Sequence, residues 1–437
     1  SHLADGTYAK DVIWWEIASH YEKKTPGILK DLLRIREKRA GNNSLKKEAA
    51  KRLFGGILYG SVTRFEQYVQ CPFAFFAHYG LLLNERQQYE ISSLDHGNLF
   101  HQAMEHLSHE LEQRNKNWQD LSEEEAVLLA AECVDAVAER YQGRKYFQSN
   151  RVSFMLKRLK NEVVHSVWAM WHQMQEGDFV QTYTEKGFRG NDKEWESMCI
   201  PFDEDAKICL NGVIDRVDLC SLPGEELIKI IDYKSSDSQD LSLAKVYYGL
   251  QMQLLTYLEA AKEMVEKEHK GKEAVPAAML YYAIKEKNLD WKPESEEEYE
   301  KRVLDSMKCK GYVNEEPEII GHLDKSVVNG GELIPGQKSG VVPVAVDKKG
   351  LLKKNSGTLS AKDFETLIAH TKEKMKECGK GILDGKIEAI PYVYEDNEGC
   401  TYCPYGSVCG HESKKDGVRE MKKMSDDEVW EALYGDD

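Results

Sequence analysis

The sequence predicts an α/β protein with a mixed central sheet flanked by helices, preceded by a helical region. Three observations predict it. Upstream of residue 175, apolar residues recur at helical spacing over long stretches. The pattern then switches to period two with β-branched residues in three segments, 196–202, "KICLNGVIDRVDLC" (207–220) and "ELIKIIDYKSS" (226–236). A helical segment, 247–268, returns before a last apolar strand in "AAMLYYAIKE" (277–286). Helices followed by β–β–β–α–β is the element order of an α/β core.

Residues 1–60 are polar and charged, with a helix expected around 8–22 and a lysine-rich segment at 45–52, and read as a connector or the end of a preceding domain. The opening "SHLADG" reads as an internal cut, so a piece of a longer protein is expected. From Ser61 the texture becomes aromatic-rich and helical in "SVTRFEQYVQCPFAFFAHYGL". Ser61 or Thr63 can cap this helix, and Glu66, three residues after Thr63, completes a capping-box pattern. Next, "LFHQAMEHLSHEL" sets Phe100, Ala103, Met104, Leu107 and Leu111 on one stripe, and helices are expected to continue through 123–142 and 150–175. The α/β core is expected over 176–286. Residues 287–360, rich in Gly, Pro and Lys, read as an insertion or lid, and 361–412 as a closing helix with a cysteine trio. One domain is therefore expected over 61–412, its helical part 61–175, with a tail at 413–437.

Hydrophobic content of 41% and charged content of 31% describe a folded chain, and no apolar run approaches the length of a membrane span. The net charge of −16 argues against a sequence-wide nucleic-acid surface. Local basic stretches, "RVSFMLKRLK" (151–160) and "DKKGLLKKN" (347–355), are candidate phosphate contacts, with solvated faces as the equal alternative. Ten cysteines without a secretion signal point to a reducing compartment. Cys133, Cys199, Cys209, Cys220, Cys309 and Cys378 are scattered and read as small buried hydrophobes. Only Cys400, Cys403 and Cys409, in "GCTYCPYGSVCGHE", have ligand spacing, and three thiols leave a four-coordinate site one short.

Two segments carry chemistry. Asp215, in "GVIDRVD", lies in an apolar strand, where a carboxylate needs a counter-charge or a metal. In "IIDYKSS" the period of two puts Asp232 and Lys234 on one face and turns Tyr233 away. Strand-end carboxylates beside a lysine suit metal-assisted phosphodiester hydrolysis: hard oxygen ligands hold Mg²⁺ or Mn²⁺, and an ammonium orients water. An Asp-x-Lys triplet alone is a common surface pattern. Gln253 and Tyr257, four apart, share a helix face, the alternatives being a solvated amide and a core-edge aromatic. Gln251 reads as solvated. A lone histidine such as His101, at the edge of its apolar stripe, is more often a core residue than a ligand.

Taken in order, "HGNLFHQ", "GVIDRVD", "IIDYKSS" and Q-x-x-x-Y resemble the RecB-type branch of the PD-(D/E)XK (restriction-endonuclease-like) superfamily over about residues 61–412. The aromatic opening and the cysteine trio resemble the C-terminal nuclease domains of the AddB family of helicase–nuclease subunits. The resemblance implies Asp215 and Asp232 as Mg²⁺ (or Mn²⁺) ligands with the Tyr233 carbonyl, and His101 as a further ligand. It implies Lys234 as the residue that positions or activates water, and Gln253 and Tyr257 as supports of the site and of the DNA backbone. Glu185 is matched more loosely, as a neighbour of the site ahead of the first core strand. The missing thiol is implied to be Cys71 in "QCPFAFF", so that Cys71, Cys400, Cys403 and Cys409 hold a 4Fe-4S cluster that staples the fold; spacing alone leaves zinc open. The implied function is a single-strand DNA exonuclease domain of a cytoplasmic bacterial helicase–nuclease, acting on the 5′-ended strand beside an AddA-like subunit in a heterodimer, away from any membrane, in double-strand-break processing. On this reading residues 1–60 end a helicase-like domain. No G-x-x-x-x-G-K-[ST] loop occurs in these residues, so ATP hydrolysis is expected elsewhere. The alternatives are a stand-alone CRISPR-associated type of iron–sulfur exonuclease and a non-cutting module that binds DNA or a partner.

Overall fold

In chain order, the strands are β1 (Ile57–Gly60), β2 (Val180–Phe188), β3 (Met198–Asp203), β4 (Ala206–Leu210), β5 (Gly212–Leu222), β6 (Glu225–Lys234) and β7 (Glu273–Ala283). They continue as β8 (Lys310–Asn314), β9 (Val328–Asn329), β10 (Glu332–Leu333), β11 (Thr358–Leu359), β12 (Tyr392–Tyr394), β13 (Asn397–Glu398) and β14 (Arg419–Met421). The helices used below are α1 (Val62–Gln70), α2 (Ser93–Gln113), α3 (Glu123–Gln142), α4 (Asn150–Gln175), α5 (Gln253–Glu268) and α6 (Ala361–Leu383). This computed structural model describes residues 12–28, 30, 44–84, 93–142, 150–189, 195–234, 240–284, 292–293, 295–411 and 417–435. The start of the helix expected from residue 8, Ser235 and Ser236 of "IIDYKSS", and residues 285–291 lie outside them.

The chain divides into two compact bodies. The larger comprises residues 56–69, 86–380 and 423–437, and the smaller takes the remainder through residue 422. In the larger body a six-stranded mixed sheet has the order β11–β8–β7–β6–β5–β2. Strands β5 and β6 are antiparallel and β6 and β7 parallel, joined by the crossover that contains α5. Both β6 and β7 are covered on both faces, which explains their near-continuous apolar runs. Helices α2, α3 and α4 pack one face through a core that includes Leu99, Phe100, Leu107, Val163, Val167, Tyr233 and Tyr282.

Two expectations need correcting. The segment read as one strand, 207–220, is two, and they belong to different sheets. Strand β4 joins a separate three-stranded sheet, β1–β4–β3, whereas β5 enters the central one. The chain breaks at Asn211, whose N–H donates to Gly60 O. Immediately afterwards, Gly212 lies where any Cβ would come within 2.8 Å of the Phe188 ring and 3.2 Å of Tyr257. Second, Cys199 and Cys209 are not free core thiols. The β3–β4 register sets them directly opposite each other, and they form a disulfide. Cys133, Cys220, Cys309 and Cys378 are buried, as expected.

Residues 295–360 supply β8 and β11 to the central sheet, the β9–β10 hairpin and two short helices, Glu296–Ser306 and Pro317–Leu323. Among the described residues no helix is long and apolar enough to cross a membrane.

Candidate active site

Antiparallel pairing of Arg216 with Ile231 brings the start of β5 beside the end of β6, and with it Asp215 beside Asp232. Both are nearly inaccessible, at 7% and 3% exposure. Asp215 Oδ2 accepts the Tyr233 N–H at 2.7 Å. Burial first, and then the neighbouring Asp232 charge, pushes the Asp215 carboxyl well above the usual range. Burial likewise raises Asp232, against the pull of the Lys234 ammonium that pairs with Asp232 Oδ2.

Lys234 and Gln253 complete a connected set. Lys234 Nζ donates to Gln253 Oε1 at 3.0 Å. The Gln253 amide nitrogen reaches Asp232 Oδ1 at 3.2 Å and the Tyr257 hydroxyl at 3.1 Å. One amide at the first turn of α5 therefore fixes a carboxylate, an ammonium and a phenol from two elements. Gln251 stays outside this set and pins the β6–α5 connection, through Ser242 N (2.9 Å) and Asp240 O (3.1 Å).

His101, on α2, directs Nδ1 at Glu185 Oε1 (2.9 Å) and Asp215 Oδ1 (3.5 Å). Burial lowers its pKa, but the Glu185 hydrogen bond and the surrounding carboxylates outweigh that and raise it to about 8. Glu185 lies within β2, not ahead of the first strand. Its φ of +46° is rare for a residue with a side chain, and it falls between the register pairs Thr184–Arg216 and Lys186–Ile214. This distortion lets the edge strand aim a carboxylate at His101.

Tyr233 points to the opposite face, against Phe100 and Tyr282, with ring centroids 5.5 and 6.1 Å away. There Arg216 and Lys229 both pair with the wholly buried Asp218, at 2.6 and 2.9 Å. The sheet thus carries carboxylates toward α5 and a buried ion triad toward α4.

Sequence reasoning missed the role of Glu66. It does not close a capping box on α1; its Oε1 accepts the Met252 N–H at 2.6 Å, at the start of α5, with Gln253 N as a second donor. Burial raises its pKa to about 7 despite those bonds and the Lys234 charge. The clue was available. Glu66 sits three and four residues from the buried Val69 and Val62, a charge inside an apolar stripe.

Ligand atoms of His101, Glu185 and Asp215 lie within 4.8 Å of one another. Three buried or half-buried carboxylates share this corner with one imidazole and one ammonium. Asp232 Oδ2, though paired with Lys234, accepts no well-directed hydrogen bond. A divalent cation fits such a donor set, because without one the carboxyls hold protons to relieve their repulsion.

The cysteines gather in the smaller body. Cys71 is not inside a helix, as expected, but at the break before the short helix Pro72–Phe75, in extended conformation. It packs with Ala74, Ala77, Tyr405 and Cys403. Burial and the charges of Glu398, Cys71, Cys403 and Cys409 push the Cys400 thiol up to about 11. The strands β12–β14 hold the loop, with Arg419 donating to Gln70 O (3.2 Å) and Ile390 O (3.0 Å). Backbone N–H groups reach sulfur at Cys71 (from Phe73 and Ala74) and at Cys409 (from His411, 3.3 Å). Crowded thiols with N–H donors at sulfur fit a cationic centre that takes thiolates.

The model of the PD-(D/E)XK nuclease superfamily matches residues 60–410. The chain is 35% identical, over 396 residues, to the B-type subunit of an ATP-dependent helicase/deoxyribonuclease of Lachnoclostridium phytofermentans, an alignment that covers 90% of this chain and 33% of that protein. Similar matches are found to proteins of the same name from Alkaliphilus oremlandii (29%, covering 96% and 36%) and Listeria welshimeri (31%, covering 92% and 34%). The chain spans about a third of the length of these curated relatives.

Proposed function

The chain belongs to the PD-(D/E)XK nuclease superfamily, and from that premise we propose that its larger body is a Mg²⁺- or Mn²⁺-dependent exonuclease that hydrolyses single-stranded DNA. The observation that carries this reading is the convergence of Asp232, Lys234 and Tyr257 on the Gln253 amide, with Asp215 set beside Asp232 by the β5–β6 pairing. Asp215, Asp232 and His101 hold the metal with the Tyr233 carbonyl, and Glu185 orients the His101 ring. The metal supplies Lewis acidity at the scissile phosphate and offsets its charge.

The chain's own groups do the rest. Lys234 pairs with Asp232 and keeps 21% of its side chain exposed, so it can meet an incoming water. Its bonds to Asp232 and Gln253 hold the ammonium in one place, where it orients that water toward phosphorus. Tyr257, steadied by Gln253, lines the approach of the strand. Cys71, Cys400, Cys403 and Cys409 hold a 4Fe-4S cluster as a structural centre. The names of the relatives support placing this nuclease in an ATP-dependent helicase–deoxyribonuclease. A cytoplasmic bacterial setting in double-strand-break processing, an AddA-like partner subunit and the 5′-ended strand as substrate are what the family resemblance adds to the proposal.

The test is degradation of end-labelled single-stranded DNA with Mg²⁺ or Mn²⁺ by the parent and by Lys234→Ala. The parent should cut and the variant lose at least about 100-fold in rate, in line with the loss of one preorganised electrostatic group. The label's position reads polarity. Equal cutting by both would remove this site from the chemistry.

A further inference from the structure

The basic segment at 347–355 folds into a defined tip. An antiparallel bridge between Val346 and Leu352 closes its base, and Lys353 N donates to Ala345 O at 2.9 Å. Asp347 organises the turn: its N–H donates to Leu351 O (2.8 Å), and its Oδ1 accepts from Lys349 N (2.7 Å) and Leu351 N (3.0 Å). Gly350, at φ +84°, completes the reversal. The acid on the tip is thus engaged by backbone, which holds its pKa below the ordinary range.

This scaffold sorts the side chains. Leu352 packs against the main core. Leu351, beside it, is 62% exposed at the apex. Lys348, Lys349, Lys353 and Lys354 are all exposed around it. Lys354 pairs with Asp427 at 2.8 Å, and Lys353 lies near Asp347. Among the described residues, Lys348 and Lys349 have no carboxylate partner. A rigid turn in an acidic protein therefore presents several cations around one exposed apolar side chain. It leads directly into β11, the edge strand of the central sheet.

We propose that the Lys348–Lys354 tip is a contact for the backbone of single-stranded DNA, with lysines on successive phosphates and Leu351 against unstacked bases. This rests on the nuclease reading above and adds a binding surface to it. Lysines at fixed spacing neutralise phosphates and release counterions, a salt-dependent contribution. An apolar side chain against a base face contributes an affinity that salt changes little. The two contributions separate experimentally.

The probe is a fluorescein-labelled oligothymidylate of about 20 nucleotides, and binding is read by anisotropy without added divalent metal over a range of NaCl concentrations. For Lys348→Glu/Lys349→Glu/Lys353→Glu the slope of log K against log [NaCl] should shrink by about 2, because each phosphate contributes roughly 0.7 for a single strand. Affinity near 0.1 M salt should fall at least tenfold. Leu351→Ser should bind several-fold more weakly with the parent's slope. Exposed sites make all these variants expected to fold, with circular dichroism as the check. A triple variant with the parent's slope and affinity overturns the tip alone. A parent that does not bind the oligonucleotide overturns both the tip and the single-strand reading it rests on.

Discussion

Glu66 shows how much a single side chain can commit. It is half-buried and carries its carboxylate to the first backbone N–H groups of α5, the turn that holds Gln253. A carboxyl that binds its proton more tightly folded than unfolded favours the folded chain where it is protonated. That contribution is fully present below the unfolded value of 4.5 and is lost as pH rises through about 7. Glu66→Gln keeps an acceptor oxygen and removes the charge. Above about pH 7.5 it should be more stable than the parent by about 3 kcal/mol, since each pKa unit is worth about 1.4 kcal/mol, and the two should converge toward about pH 5. Urea denaturation across that range measures it; parallel curves for parent and variant would mean that Glu66 is ionised without penalty.

At the level of elements, β5 carries opposite duties on its two faces, Asp215 beside Asp232 and His101, and Arg216 with Asp218 toward α4. Asp218 is the shared partner of two buried cations, so Asp218→Asn strands both. It should cost about 3–5 kcal/mol, the scale for breaking a buried ion set by removing one partner. A lowered urea midpoint with unchanged slope is the expected readout, and an unchanged midpoint would mean that Arg216 and Lys229 find other compensation. The face shared by Asp232 and Lys234 was legible in the sequence because β6 is a regular strand, whose period of two decides which residues are neighbours. The Gln253–Tyr257 pair was legible for the same kind of reason, from helical spacing. By contrast, β2 was hidden: a register shift between Gln181 and Tyr183 and the positive φ at Glu185 break its alternation. The division of 207–220 was missed although Asn211–Gly212 is a turn dipeptide, because the apolar runs on either side read as one strand. Glu66 was misread because its partner is 186 residues away, and local spacing offered a plausible cap nearby.

For the whole molecule, the proposed cluster would tie Cys71, reached early in the chain, to three cysteines more than three hundred residues later. Cys71 and the three late cysteines all belong to the smaller body. Closing a loop of that length removes about 5 kcal/mol of unfolded-chain entropy. Cys403→Ser should therefore bleach the visible absorbance of the purified protein and lower Tm, by roughly 5–10 °C if a few kcal/mol are lost. An unchanged spectrum and Tm would remove the staple. The fold class and the cysteine grouping were visible in the sequence, one from periodicity and the other from three close thiols. The resemblance supplied Cys71, because no local pattern connects residue 71 with residue 400.

That separation has a consequence in time. A ribosome adding about 5–20 residues per second makes Cys71 roughly 20–60 s before Cys400. Throughout that interval the first thiol waits without the three late cysteines, so an incomplete chain carries one of the four proposed ligands. If these four cysteines hold the proposed cluster, its assembly has to wait until Cys409 has been made, and visible colour reports only chains that extend past that residue. On that reading a ribosome that stops anywhere before Cys409 releases a colourless product, however well the central sheet has folded.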